Sequence, residues 1–244
     1  MNLLEACGVT KTFGTLTALR NAELVVQRGE FHGLIGPNGS GKSTLLKCIA
    51  GAEFATHGTI TLAGRDITYA TAPERSRAGL SLKFQITAVL AELSVYDNVL
   101  LALQAQEPML GLMLSRSRHA LHERVMHLLS RFRLESRRDA LAGVLSHGQQ
   151  QWLEIAMALA REPKLLLLDE PTAGLSPQER RTTGELLMPI KDNCSLLIVE
   201  HDLAFIKDIC DSLTVLDQGE VVASGPTREV QNSERVREVY LSHA

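Results

Sequence analysis

The chain has 244 residues, 45% of them apolar, with 25 basic and 28 acidic side chains for a net charge of −3. That length supports one large domain, or a core with an inserted lobe, without any stapling. The basic residues are scattered and leave no electrostatic footprint for a phosphate backbone, which argues against a nucleic-acid partner.

Cys7, Cys48, Cys194 and Cys210 are far apart, with no histidine at metal-ligand spacing, and are read as reduced core thiols. The opening MNLLEACGVTKTFG lacks the charged-then-apolar pattern of a signal peptide. No run approaches the ~18 uninterrupted apolar residues of a membrane helix, so work at a membrane is expected only through a partner.

From 3 to 62, short apolar or alternating runs (24–26, 31–35, 59–62) punctuated by Gly29, Gly33, Gly58 and Gly64 predict strands and turns. One helix interrupts them. It opens at a loop over 36–41, carries Thr44, Leu45, Leu46, Cys48 and Ile49, and stops at Gly51. From 95 to 161 the spacing turns helical, with polar helices expected around 95–104, 118–132 and 149–161. The apolar runs 165–168, 196–199 and 213–216 then alternate with helical stretches from Pro177 and Leu203, the mark of a buried parallel sheet covered on both faces.

Gly36-Pro37-Asn38-Gly39-Ser40-Gly41-Lys42-Ser43 fits G-x-x-x-x-G-K-[ST] between a strand and a helix. Glycines let successive backbone N–H groups converge on phosphate oxygens, and the following helix points its positive end at the same anion. Lys42 then serves the β- and γ-phosphates and the Ser43 hydroxyl serves Mg2+. Gly36, Asn38, Gly39, Ser40, Gly41, Lys42, Ser43 and Thr44 are the candidate ATP contacts.

Leu165-Leu166-Leu167-Leu168-Asp169-Glu170 is an apolar strand ending in two carboxylates, which puts both at the carboxyl edge of the sheet. Asp169 would enter the Mg2+ shell, and Glu170 would orient and deprotonate the attacking water. Alone, two acids before Pro171 read equally well as a solvated helix start; the phosphate loop tips the balance. His119, His122 and His127 share a polar helix without a carboxylate or cysteine to complete a metal shell, and no metal is expected there.

Leu145-Ser146-His147-Gly148-Gln149, at a helix start between those motifs, resembles the LSGGQ signature of ATP-binding-cassette (ABC) ATPases. The order of the other pieces is similar to that family. The resemblance implies Phe13 as the adenine-stacking aromatic, Gln85 as a Mg2+-shell glutamine, the 173–176 turn as the D-loop, and His201 as the histidine on the γ-phosphate. It also makes Ser146, Gly148 and Gln149 ATP contacts. Read singly, Phe13 is equally a core aromatic and His201 a solvated histidine. Two departures stand out: His147 replaces a signature glycine, and Ser176 stands where many relatives have aspartate.

The fold expected is α/β, a phosphate-loop NTPase core with a parallel sheet, an antiparallel β subdomain and an inserted α-helical subdomain. A single domain over 1–244 is expected, with 1–90 and 162–244 as the core and about 91–161 as the helical part. The resemblance further implies a head-to-tail dimer with two MgATP, each between one subunit's phosphate loop and the other's signature. The chain lacks coiled-coil insertions, a second cassette and fused membrane helices, so it resembles a stand-alone transport motor.

Lys83-Phe84-Gln85, residues 93–99, Gln151-Trp152-Leu153-Glu154-Ile155 and the tail 234–241 are similar to importers of branched-chain amino acids and of urea or short amides. The signature wording leans toward urea; a lipopolysaccharide-export ATPase or a soluble non-transport ABC ATPase is the alternative. The implied partners are two transmembrane permease subunits, a second ABC ATPase (identical or paralogous) and, indirectly, a periplasmic or extracellular binding protein. The implied place is the cytoplasmic face of the inner membrane. The apolar stretch 108–114 is either part of a groove for a permease helix or a helix end packed into its own lobe.

Overall fold

The computed structural model describes residues 1–83, 89–105 and 117–241. Strands β1 (Asn2–Phe13) and β2 (Leu16–Gln27) pair antiparallel, and β4 (His57–Leu62) and β5 (Arg65–Asp66) extend them into a four-stranded sheet, β2-β1-β4-β5. The run 24–26 is only the inner end of β2, whose alternation buries Leu19, Ala22, Leu24 and Val26.

The second sheet has six strands in the order β10-β9-β3-β8-β7-β6. Strands β3 (Phe31–Ile35), β6 (Leu80–Lys83), β7 (Leu165–Asp169), β8 (Ser195–Val199) and β9 (Ser212–Asp217) run parallel, and β10 (Glu220–Pro226) closes one edge antiparallel. Every residue of β3, β7 and β8 is buried, which is why they read as continuous apolar runs. Alternate residues serve different cores. Leu165, Leu167, Leu197 and Val199 pack with the antiparallel sheet and helix α1 (Lys42–Ala50). Leu166, Leu168, Leu196 and Ile198 face helices α3 (Val95–Gln104), α4 (Ser117–Arg131), α5 (His147–Leu159), α6 (Pro177–Leu187) and α7 (Leu203–Ile209). Short helices α2 (Ala72–Ala78), α8 (Thr227–Asn232) and α9 (Glu234–Leu241) complete the described chain.

Two expectations need correction. Cys7 is exposed, because it points outward from β1; only Cys48, Cys194 and Cys210 are core thiols. Helix α3 is not polar: it buries Val95, Tyr96, Val99, Leu100 and Leu103. It also buries Asn98, whose amide accepts from Leu90 N–H (2.8 Å) and donates to the carbonyls of Leu90 (3.0 Å) and Ser94 (2.9 Å). His122, exposed on α4, has its Nδ1 3.0 Å from the Tyr96 hydroxyl. Gln85 and the stretch 108–114 lie outside the described residues. Among the described residues no helix is long and apolar enough to cross a membrane.

Candidate active site

The phosphate loop leaves β3 and enters α1 at the carboxyl edge of the parallel sheet. Its shape depends on glycine. Gly36 has φ +148, and a Cβ there would lie 2.0 Å from the Leu216 carbonyl oxygen; Gly41, at φ +105, caps the start of α1. Ser40 O accepts from Gly219 N–H (2.9 Å), fastening the loop to the β9–β10 turn. Lys42 is buried, and its Nζ donates to the carbonyls of Gly36 and Pro37, both at 2.8 Å. Burial lowers its pKa, against the pull of Glu170 and Asp169. Asn38, Gly39 and Ser43 are exposed and Thr44 is half-buried.

Strands β3, β8 and β7 are neighbours, so the residues at their carboxyl ends meet. Asp169 closes β7, paired in register with Val199. Burial raises its carboxyl above the usual range and Glu170 adds to this, opposed by Lys83, Lys47 and Lys42. Glu170 follows in the left-handed region, φ +48, with its N–H bonded to Val199 O (2.9 Å). Its Oε1 accepts from His201 Nε2 at 2.5 Å, which brings together two residues 31 positions apart. Since a carboxylate oxygen accepts, Nε2 carries the hydrogen.

The donor set fits a magnesium nucleotide. Among the described residues, Ser40 Oγ and Asp169 Oδ1 are buried without a hydrogen-bond partner, an arrangement that costs stability unless a ligand meets it. Hard oxygen donors from Ser43 and Asp169 beside a loop of backbone N–H groups are those that Mg2+ and phosphate take.

Phe13 ends β1, 44% exposed, with Lys11 Nζ 4.7 Å from its ring centroid; it is not a core aromatic. Ser146 caps α5 in a reciprocal box, its hydroxyl accepting from Gln149 N–H (3.3 Å) while Gln149 Oε1 accepts from Ser146 N–H (3.2 Å). Gly148 is buried at that helix start. Ser176 likewise caps α6, bonded to Glu179 through its N–H (3.0 Å) and its hydroxyl (2.8 Å).

Two arrangements were not anticipated. Glu200, 3% exposed, accepts from Thr172 N–H (2.8 Å), Thr172 hydroxyl (2.6 Å) and His201 N–H (3.1 Å), tying the segment after β7 to the end of β8. Lys83, at the end of β6, pairs with Glu154 of α5 at 3.3 Å, both buried. The only signal for either was a charge beside an apolar run, which ordinarily marks a solvated position.

A family model described as "ABC transporter" matches residues 19–173. The high-affinity branched-chain amino acid transport ATP-binding protein LivG of Salmonella typhimurium is 34% identical over 99% of this chain and 98% of its own. BraF of Pseudomonas aeruginosa, with the same description, is 32% identical over 99% of this chain and 98% of its own. Among solved structures, an ATP-binding cassette of an ABC transporter in its ADP conformation superposes with TM-score 0.88 at 30% identity, covering 99% of both chains. A dimeric ATP-binding cassette in a post-hydrolysis state with ADP and Pi gives 0.78 at 28% identity, covering 93% of this chain and 99% of that one. Phosphate loop, carboxylate edge, whole-chain identity and superposition agree: the chain belongs to the ABC transporter family, as one of its ATP-binding subunits.

Proposed function

We propose that the chain is the ATP-hydrolysing motor subunit of an importer for branched-chain amino acids. The observation that carries the hydrolytic part is the Glu170–His201 pair beside the Lys42 loop and Asp169 Oδ1, which has no hydrogen-bond partner among the described residues. Phe13 offers its exposed face to adenine, and the N–H groups of residues 36–44 hold the phosphates. Lys42 exchanges the Gly36 and Pro37 carbonyls for the β- and γ-phosphates. Ser43, Asp169 and Gln85 are the residues that would hold Mg2+, which when bound neutralises charge on the transferring phosphoryl group. Glu170 orients the attacking water and takes its proton, and His201 holds that carboxylate while reaching the γ-phosphate.

Ser146, Gly148 and Gln149 form a second anion site at the start of α5. Helix α5 packs on α3, α4 and β6, whereas α1 packs on β1, β2, β6, β7 and β8. A copy of the chain, or a paralogue, placed head to tail would bring this second site onto the first copy's γ-phosphate. The dimeric cassette among the structural relatives supports that arrangement. Two membrane permease subunits, met at the cytoplasmic face, complete the machine, with a binding protein delivering cargo. LivG and BraF favour branched-chain amino acids over the urea suggested by the signature wording.

The test is ATP-driven uptake in proteoliposomes that hold the co-purified membrane subunits, comparing wild type with Glu170→Gln. Wild type is expected to take up leucine, isoleucine and valine. Glu170→Gln is expected to bind ATP and dimerise without releasing phosphate. Phosphate release at the wild-type rate overturns the role of Glu170; uptake of urea without leucine overturns the cargo.

A further inference from the structure

His147 is the residue by which this signature departs from LSGGQ. It is the first residue of α5, exposed, with Nε2 3.2 Å from Ala173 O. A carbonyl oxygen only accepts, so Nε2 carries a hydrogen, and Nδ1 is the nitrogen at which the ring gains or loses a proton. Gly174, at φ +73, leaves room for the imidazole: a Cβ there would stand 3.4 Å from Nε2. The turn belongs to the hydrolytic side of the site, since Ala173 N–H bonds to Glu170 O (3.2 Å).

The surroundings are built closely. A Cβ on Gly148 would lie 2.6 Å from Glu179 Oε1, and Trp152 Nε1 donates to Thr183 Oγ1 at 2.9 Å, so α5 and α6 lie close at their first turns and are bonded at their second. The charged group facing His147 is Glu179 of α6, whose carboxyl Ser176 and His147 hold below the usual range despite some desolvation. The turn offers the Ala173 carbonyl, and α5 itself offers the Ser146 hydroxyl and the Gln149 amide, none of which titrates.

We propose that His147 is a positioning residue of the half-site that α5 offers to a partner's ATP: Nε2 ties α5 to the Ala173–Gly174 turn, and Nδ1 takes up a proton as the half-site closes. This rests on the dimer reading above. Before nucleotide arrives, the Glu179 carboxylate is the anion facing the ring. A triphosphate arriving at Ser146 and Gly148 adds a larger negative charge and raises the proton affinity of the ring. A group whose pKa rises on association strengthens the closed dimer at low pH, and that gain fades as pH rises through the raised value. The same side chain therefore joins one nucleotide's anion site to the carboxylates that act on the other.

The experiment measures, by sedimentation with MgATP, the dimer dissociation constant of Glu170→Gln at about pH 6 and about pH 8, alone and combined with His147→Gly or His147→Gln. The parent is expected to tighten by about threefold to tenfold more than His147→Gly between the two pH values, the range that a rise of up to one pKa unit permits. His147→Gln keeps a donor for Ala173 O but does not titrate, so it follows the glycine variant's pH slope while closing more tightly than it. Equal slopes in all three overturn the proton uptake, and equal affinities for the glycine and glutamine variants overturn the tie. Absence of an ATP-dependent dimer in the parent at both pH values overturns the dimer reading itself.

Discussion

At Gly36 the demand on a single residue is absolute, because a Cβ would stand 2.0 Å from a backbone oxygen of β9 rather than from a side chain that can swing away. Gly36→Ala must therefore displace the loop. We expect nucleotide affinity to fall at least about tenfold, read by titration with a fluorescent ATP analogue, with roughly 1–3 kcal/mol of lost stability from overpacking. Glu170 shows the converse: a non-glycine residue kept at φ +48 by its N–H bond to Val199 and its pairing with His201. Backbone strain of this kind collects at functional sites, where surrounding structure over-determines it.

Helix α1 is held at both ends, by the phosphate loop at its start and by Arg75 at its finish. Arg75 is fully buried and spends its guanidinium on backbone oxygens: Cys48 (2.5 Å) and Ile49 (2.8 Å) at the end of α1, Thr68 (2.9 Å) and Ala70 (2.8 Å) beyond it. A cation there complements the helix dipole and the unpaired terminal carbonyls. Arg75→Met strands those carbonyls, and we expect a loss of ~3 kcal/mol or more, seen as a thermal midpoint lowered by roughly 6–12 °C in calorimetry. An unchanged midpoint would show that the cap is dispensable. Helix α1 could be read ahead of the structure from its loop, its apolar spacing and Gly51, whereas α2 and β6 could not. Those two elements are 7 and 4 residues long, too short for periodicity to register. Their key residues, Arg75 and Lys83, are charges that look solvated until their buried partners are known.

Across the whole molecule, the candidate site is assembled from the carboxyl ends of β3, β7 and β8; the residues after β3 and at the end of β7 were visible because each follows an apolar run in a recognisable motif, whereas His201 after β8 was named only through the family resemblance. Glu200 and the Lys83–Glu154 pair escaped, since a buried charge is explained only by its tertiary partner. The opposite edge of the sheet carries a polar knot: Glu30 accepts from Gln27 N–H and the Ser212 hydroxyl, beside His32, whose Nε2 meets Thr214 Oγ1 at 2.8 Å. Burial raises the Glu30 pKa, but the nearby His32 (Nδ1 at 3.8 Å) and bonds from Ser212 and Gln27 together outweigh it and bring the carboxyl from 4.5 down to about 2. A depressed carboxyl stabilises the fold above its ordinary value, and that contribution is lost as pH falls from 4.5 toward about 2. We expect Glu30→Gln to be less stable than wild type in denaturant titrations at about pH 7, with the gap narrowing through this acid window; a gap constant with pH would refute the assignment. The strand order has a further consequence. Because the phosphate loop, Asp169 and His201 are far apart in the chain and meet only once β3, β8 and β7 lie side by side, an unfolded or half-synthesised chain has no nucleotide pocket to offer. ATP is thus a selective ligand of the finished sheet, and cellular nucleotide should shield the mature subunit from proteases while leaving misfolded copies open to degradation.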